Sequence, residues 1–147
     1  MRRYLAALVV ALLVAIPTAA PAGPKKVSGS FGASLAPFPN YSSHTSTARP
    51  GCAAGQENVH WVGQEFSAPA AGTLSMHSEG FTGDHDIYVF VNDIPYARGE
   101  NTQVPDGAPP EESVTVPLKA KQKVQMVACN WLGQPEVEAH YEFVFKK

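Results

Sequence analysis

The stretch from Ala71 to Val91, AGTLSMHSEGFTGDHDIYVFV, constrains the fold more than any other part of this 147-residue chain. It sets two alternating apolar/polar runs, one through Leu74 and Met76 and one through Ile87, Val89 and Val91, on either side of a turn punctuated by Gly80 and Gly83. Successive side chains of a strand point to opposite faces, so each run predicts a strand with at least one buried face. No stretch of useful length repeats its apolar residues at helical spacing.

From Gly55 onward the pattern continues as short alternations separated by Gly, Pro, Asn and Asp about every ten residues, the punctuation of an all-β domain. Candidate strands cover 58–67, 72–78, 86–91, 112–118, 123–130 and 136–145. The last places Val137, Ala139, Tyr141, Phe143 and Phe145 on one face and Glu136, Glu138, His140 and Glu142 on the other. Val114, Val116 and Leu118 form a further inward set. Several short strands of this kind predict an antiparallel β-sandwich. The polar segment between Ala97 and Glu112, with Pro105, Pro109 and Pro110, reads as a loop, because proline cannot donate to a central ladder.

The N-terminus gives an address. Arg2 and Arg3 precede an apolar run from Tyr4 to Ile16 and then the small residues TAAPAG, the pattern of a secretory signal peptide over 1–22 with cleavage after Ala22 or Ala20. The run is shorter than the roughly 20 residues that a membrane-crossing helix needs. The expectation is a secreted, extracellular protein with no membrane span in the mature chain. The whole chain is at −2, and losing Arg2 and Arg3 makes it more acidic, which leaves no electrostatic footprint for nucleic acid.

In an exported chain two cysteines read as a disulfide, here Cys52 with Cys129, closing a loop worth about 4 kcal/mol in the chain-entropy model. Residues 23–50 carry Pro24, Pro37, Pro39 and Pro50 among Ser, Thr, Gly and Ala and read as a linker or irregular arm, part of which docks through Phe31, Leu35, Phe38 and Tyr41. The sandwich domain is then expected over 51–147.

The order Gly72-Thr-Leu, Asp84-His-Asp86-Ile-Tyr88-Val and a closing Tyr141-Glu-Phe-Val-Phe resembles the bacterial pre-peptidase C-terminal domain. The resemblance spans about residues 57 to 145. It implies a jelly-roll-like β-sandwich of the kind that accompanies secreted peptidases and includes the collagen-binding modules of clostridial collagenases. This chain departs from the pattern at Lys121-Gln-Lys123, where the family carries Gly-x-Tyr, and in its cysteine pair.

Asp84, Asp86 and Asp93 have two readings: converging carboxylates that hold Ca²⁺, which some relatives bind, or acceptors that set the turns. Histidines 44, 60, 77, 85 and 140 share no tight ligand spacing, so zinc or copper requires the fold to gather them. Trp61 and Trp131 read as core near the disulfide. Tyr88, Phe90 and Tyr96 are the candidates for a ligand-binding aromatic face, against the alternative that their strand is covered on both sides. No G-x-S-x-G, H-E-x-x-H or Gly-rich phosphate loop is present, and Glu79, Glu100, Glu111 and Glu112 read as turn or loop residues. These features point to a secreted non-catalytic module that binds an extracellular polysaccharide or protein. The alternatives are a structural or envelope protein that self-associates through an edge strand and, more weakly, a small hydrolase.

Overall fold

A computed structural model describes residues 23–38, 57–99 and 111–146. The expected leader at 1–22, His44, Cys52 and Glu100 lie outside these residues. Among the described residues no helix is long and apolar enough to cross a membrane.

Eight strands follow one another: β1 (Lys25–Ser34), β2 (Trp61–Ser67), β3 (Gly72–Glu79), β4 (Gly83–Val91), β5 (Ile94–Gly99), β6 (Glu111–Leu118), β7 (Lys123–Gly133) and β8 (Glu136–Phe145). They form two four-stranded sheets, one in the order β1-β8-β3-β6 and the other in the order β2-β7-β4-β5. Every named pairing is antiparallel. The chain therefore folds as an all-β sandwich, as the alternation predicts.

Between the sheets lies the main core. It contains Leu74 and Met76 from β3, Ile87, Val89 and Val91 from β4, Val114, Val116 and Leu118 from β6, Val124, Met126 and Ala128 from β7, and Val137, Ala139, Phe143 and Phe145 from β8. These are the inward positions of period-2 runs, and each fully buried Leu, Ile, Val, Phe or Met contributes about 1.5–3 kcal/mol of transfer free energy. β4 departs from simple alternation, because both of its faces are buried: Tyr88 and Phe90 join Trp61, Val127, Cys129 and Trp131 in a second cluster on the outer side of its sheet. Phe38 packs on this cluster, its ring 4.3 Å from that of Trp131.

Two elements were not foreseen. Residues 25–34, expected as linker, form an edge strand that pairs with β8 along its whole length, from Lys25 opposite Phe145 to Ser34 opposite Glu136. Its small residues hid it from a reading based on hydrophobic periodicity. They are there because β1 approaches β8 closely: a Cβ on Gly32 would stand 2.3 Å from the Val137 carbonyl oxygen, and one on Gly29 would stand 2.8 Å from the Tyr141 hydroxyl. The second is β5, which begins straight after the Asn92-Asp93 turn and pairs with β4 through a bulge after Val89. Both turn residues have positive φ, 52° and 64°, the backbone of a two-residue hairpin turn.

Candidate functional site

A concavity opens at one end of the sandwich, with a cavity volume of about 490 Å³, within the range of small-molecule sites. Five elements build it. β1 brings Gly32 and Ala33, the end of β3 brings Ser78 and Glu79, the following turn brings Phe81, β4 brings His85, and the β7–β8 turn with the start of β8 brings Gln134, Glu136, Val137 and Glu138.

A pair of glycines and a bulge shape the cavity. Gly83 and Gly133 face each other with φ of 109° and 117°, and a Cβ on either would lie 2.0 Å from a carbonyl oxygen of the other strand. Only glycine permits both the backbone angle and the contact. Beyond them Gln134 N–H donates to the Thr82 carbonyl at 3.1 Å, and the Thr82 hydroxyl donates to Gln134 Oε1 at 3.1 Å. Next to the glycines the β4–β7 register slips, with Asp84 opposite Leu132 but His85 opposite Asn130, so Trp131 is an extra residue on β7. Bulges of this kind re-aim side chains.

His85 shares the inward phase of Ile87 and is 1% exposed. Its ring stacks on Phe81 with centroids 4.6 Å apart. Nε2 lies 3.0 Å from the Gln134 carbonyl oxygen, which can only accept, so Nε2 carries the proton and Nδ1 presents its lone pair. Nδ1 is buried without a hydrogen-bond partner. Burial favours the neutral ring and lowers the His85 pKa below its ordinary 6.5, outweighing the hydrogen bond to the Gln134 carbonyl, which raises it. The Asn130 amide braces the same end by donating to the carbonyls of Leu35 at 3.0 Å and Gln134 at 2.8 Å.

The lining is acidic at its rim. Glu79, Glu136 and Glu138 all line the cavity and are exposed to water, and among the described residues no lysine or arginine lines it. Glu79 stands directly across from Glu111 of β6. Ser78, 2% exposed, gives its hydroxyl proton to the Glu138 carbonyl at 2.6 Å. Ser78 and His85 thus have separate partners, and no hydrogen bond between a serine and a histidine occurs among the described residues.

The aspartates do not assemble a calcium site. Asp86 is buried, and its Oδ2 accepts from the Tyr88 hydroxyl at 2.9 Å and from Trp131 Nε1. Asp84 is also buried, at the start of β4. Asp93 sits in the turn beyond the other end of that strand, paired with Lys123 at 3.4 Å. At about 3.3 Å per residue the strand holds it roughly 20 Å from Asp86. Among the described residues no three His, Cys, Asp or Glu side chains are placed to hold a metal ion. Asp93 lies in a turn, while Asp86 braces the aromatic cluster through two side-chain donors and not through turn N–H groups.

The aromatic candidates separate. Tyr88 and Phe90 are 2% and 4% exposed, so they do not form an open face. Tyr96 is 54% exposed and lines, with Tyr88, Pro95, Ala97 and Arg98, a smaller concavity of about 250 Å³. Trp61 and Trp131 are core, at 5% and 3%, beside the fully buried Cys129. Cys129 Sγ lies 3.6 Å from the Asp86 carbonyl oxygen. Of the histidines, the fold brings His77 and His140 face to face with centroids 5.2 Å apart, while His60 stacks on Phe38 at 4.6 Å.

The sequence reading missed the cavity. On the sequence alone Glu136 and Glu138 fall on a solvent face and Glu79 in a turn. One signal was available: His85 falls in phase with Ile87, Val89 and Val91, which places an ionisable ring on an inward position.

No family model matches this chain, and no curated protein matches it. Among solved structures it is similar to a family 35 carbohydrate-binding module from an environmental isolate, with 22% identity, a TM-score of 0.37 and coverage of 58% of this chain and 68% of that one. It is also similar to a family 35 carbohydrate-binding module from Clostridium thermocellum, with 17% identity, a TM-score of 0.36 and coverage of 59% and 70%.

Proposed function

We propose that this chain is an exported, non-catalytic module that binds an extracellular polysaccharide in the cavity at the end of the sandwich. The observation that carries this reading is the lining itself: Glu79, Glu136 and Glu138, with Gln134 and His85, line a space of about 490 Å³ beside Phe81. A polyhydroxylated ring is rich in donors, and planar acceptors set around an apolar patch are the groups that bind it. The exposure of all three glutamates supports binding over hydrolysis, because a general-acid carboxyl needs an apolar enclosure to hold its proton.

The remaining parts of the reading fit an extracellular module. The leader exports the chain, and Cys52 pairs with Cys129 in the oxidising compartment that it reaches. The nested pairing of β1 with β8, β2 with β7, β3 with β6 and β4 with β5 supports a jelly-roll form of the sandwich. Intact mass of the exported protein checks the leader and the disulfide together: two free thiols sink the pairing.

A glycan array probed with the exported protein tests the function. A polysaccharide hit that weakens in Glu138→Gln supports it, whereas hits unchanged by cavity substitutions refute the site. Incubation with the bound glycan, followed by a reducing-end assay, separates binder from hydrolase, since released ends would overturn the non-catalytic reading.

One observation favours a second reading, self-association or protein binding through a sheet edge. Among the described residues β5 pairs with β4 alone, and it exposes Ile94 at 65% and Tyr96 at 54%. Unpaired edges carrying apolar side chains recruit other strands. Sedimentation at rising concentration decides it, because a monomer throughout excludes self-association.

A further inference from the structure

We infer that His77 and His140 form a two-nitrogen chelate for a late first-row transition ion, Cu²⁺ above Zn²⁺, on the outer face of the β1-β8-β3-β6 sheet. This goes beyond the polysaccharide reading and does not depend on it.

The histidines share no tight spacing in the sequence, and the fold supplies one. His77 of β3 and His140 of β8 are direct cross-strand partners, a relation that sets Cβ atoms about 4.5–5.5 Å apart on one face of a sheet. Their rings lie face to face, with centroids 5.2 Å apart and planes 24° from parallel. His77 is exposed and the His140 side chain is 45% exposed, so the pair meets water and not the core. Ser30 of β1 stands opposite His140 and Ser113 of β6 opposite His77, which continues the row with a small side chain on either flank.

A neutral imidazole keeps one nitrogen lone pair, and two rings on one face present two. An ion bonded to nitrogen at about 2.0–2.1 Å needs the two nitrogens within roughly 4 Å of each other. A small rotation of two exposed rings at this separation provides that. Imidazole nitrogens favour zinc, copper and nickel, with copper held most tightly, whereas calcium and magnesium take oxygen.

Glu138 is the second observation. Its Oε1 lies 3.8 Å from His140 Nε2, beyond hydrogen-bond length but within the span that one ion bridges with bonds of about 2 Å to each atom. Glu142, two residues further along the same face, is engaged by Lys26 at 2.5 Å. Glu138 is therefore the carboxylate that draws a cation toward the pair. Among the described residues no three side chains are placed to close a metal site, so water completes the coordination and the chelate is an open one.

The test is isothermal titration of the exported protein with Zn²⁺, Ca²⁺, Mg²⁺ and glycine-buffered Cu²⁺. Expected is one Cu²⁺ per chain, bound about tenfold or more tighter than Zn²⁺, with no heat from Ca²⁺ or Mg²⁺. His77→Gln and His140→Gln should each weaken Cu²⁺ by about tenfold or more, and the double variant should add little, because a chelate needs both nitrogens. Both side chains are solvent-facing, so the variants keep the core, and an unchanged melt in the absence of metal verifies it. Electron paramagnetic resonance of the Cu²⁺ form should show two nitrogen ligands, reduced to one in either single variant. His44→Gln must leave the affinity unchanged. Full affinity in either single variant, an equal loss in His44→Gln, or a spectrum without two histidine nitrogens overturns the chelate.

Discussion

Asp86→Ala separates a structural brace from a cation ligand. In the folded chain Asp86 Oδ2 takes hydrogen bonds from the Tyr88 hydroxyl at 2.9 Å and from Trp131 Nε1. Both donors are almost fully buried, at 2% and 3% exposure. Deleting the carboxylate strips each of this acceptor without giving it access to water, and a buried group left unsatisfied costs about 1–3 kcal/mol. The expected loss for the pair is about 3 kcal/mol, a large part of the roughly 5–15 kcal/mol that holds a domain together. At about 4–8 °C per kcal/mol for a domain of this size, the melting temperature should fall by roughly 10–20 °C. Urea unfolding followed by tryptophan fluorescence reports on the affected cluster directly, since Trp61 and Trp131 both belong to it. Asp86→Asn retains one acceptor oxygen and should fall between wild type and Asp86→Ala. The loss must be the same in chelator and in excess calcium. A variant as stable as wild type refutes the brace, and a deficit that appears only when calcium is present restores the cation reading.

Three further outcomes follow from the same geometry. His85 has a folded pKa lowered by burial, so the unfolded chain takes up a proton near its ordinary 6.5 that the native ring refuses; stability present above pH 6.5 is lost as the pH falls, by at most about 1.4 kcal/mol per unit, and His85→Gln should flatten that slope in urea melts taken from pH 7.5 to 5. Gly32→Val drives a side chain into the Val137 carbonyl, where even a Cβ would stand at 2.3 Å; overpacking of this kind costs about 1–3 kcal/mol, and hydrogen exchange should show lost protection in Phe31–Ser34 while β4 and β7 stay protected. Tyr96→Ala, on an exposed edge, should shift stability by less than about 0.5 kcal/mol, whereas Tyr88→Phe removes a buried hydrogen bond to Asp86 and should cost about 1 kcal/mol or more.

The fold was legible where burial imposes a period. Val137 to Phe145 and Leu74 to Met76 alternate because one face of each strand meets the core and the other meets water, and the structure places them so. It was not legible where packing replaces hydrophobicity by absence of bulk. β1 is held to β8 by a ladder along its full length, yet Gly29 and Gly32 are selected for what they lack, room being the limiting quantity beside Tyr141 and Val137. Such a strand has the composition of a linker. β5 was lost for a related reason: Pro95 and Arg98 occupy an edge, where proline is tolerated and no alternation is enforced.

The site was harder to read because its members come from five places in the chain and none is unusual in its own neighbourhood. Glu136 and Glu138 continue the polar face of β8, and only the antiparallel return of β3 sets Glu79 beside them at the cavity rim. His85 is the exception. Its phase marks it as inward, and an ionisable ring on an inward position must be satisfied, neutralised or used. Nε2 is satisfied by the Gln134 carbonyl and burial favours the neutral ring, while Nδ1 is buried without a hydrogen-bond partner. Core packing alone would be better served there by a leucine or phenylalanine, which brings no acceptor to desolvate. The retained cost of a buried lone pair, beside a carboxylate rim that among the described residues carries no lysine or arginine, is the feature on which the proposed site rests.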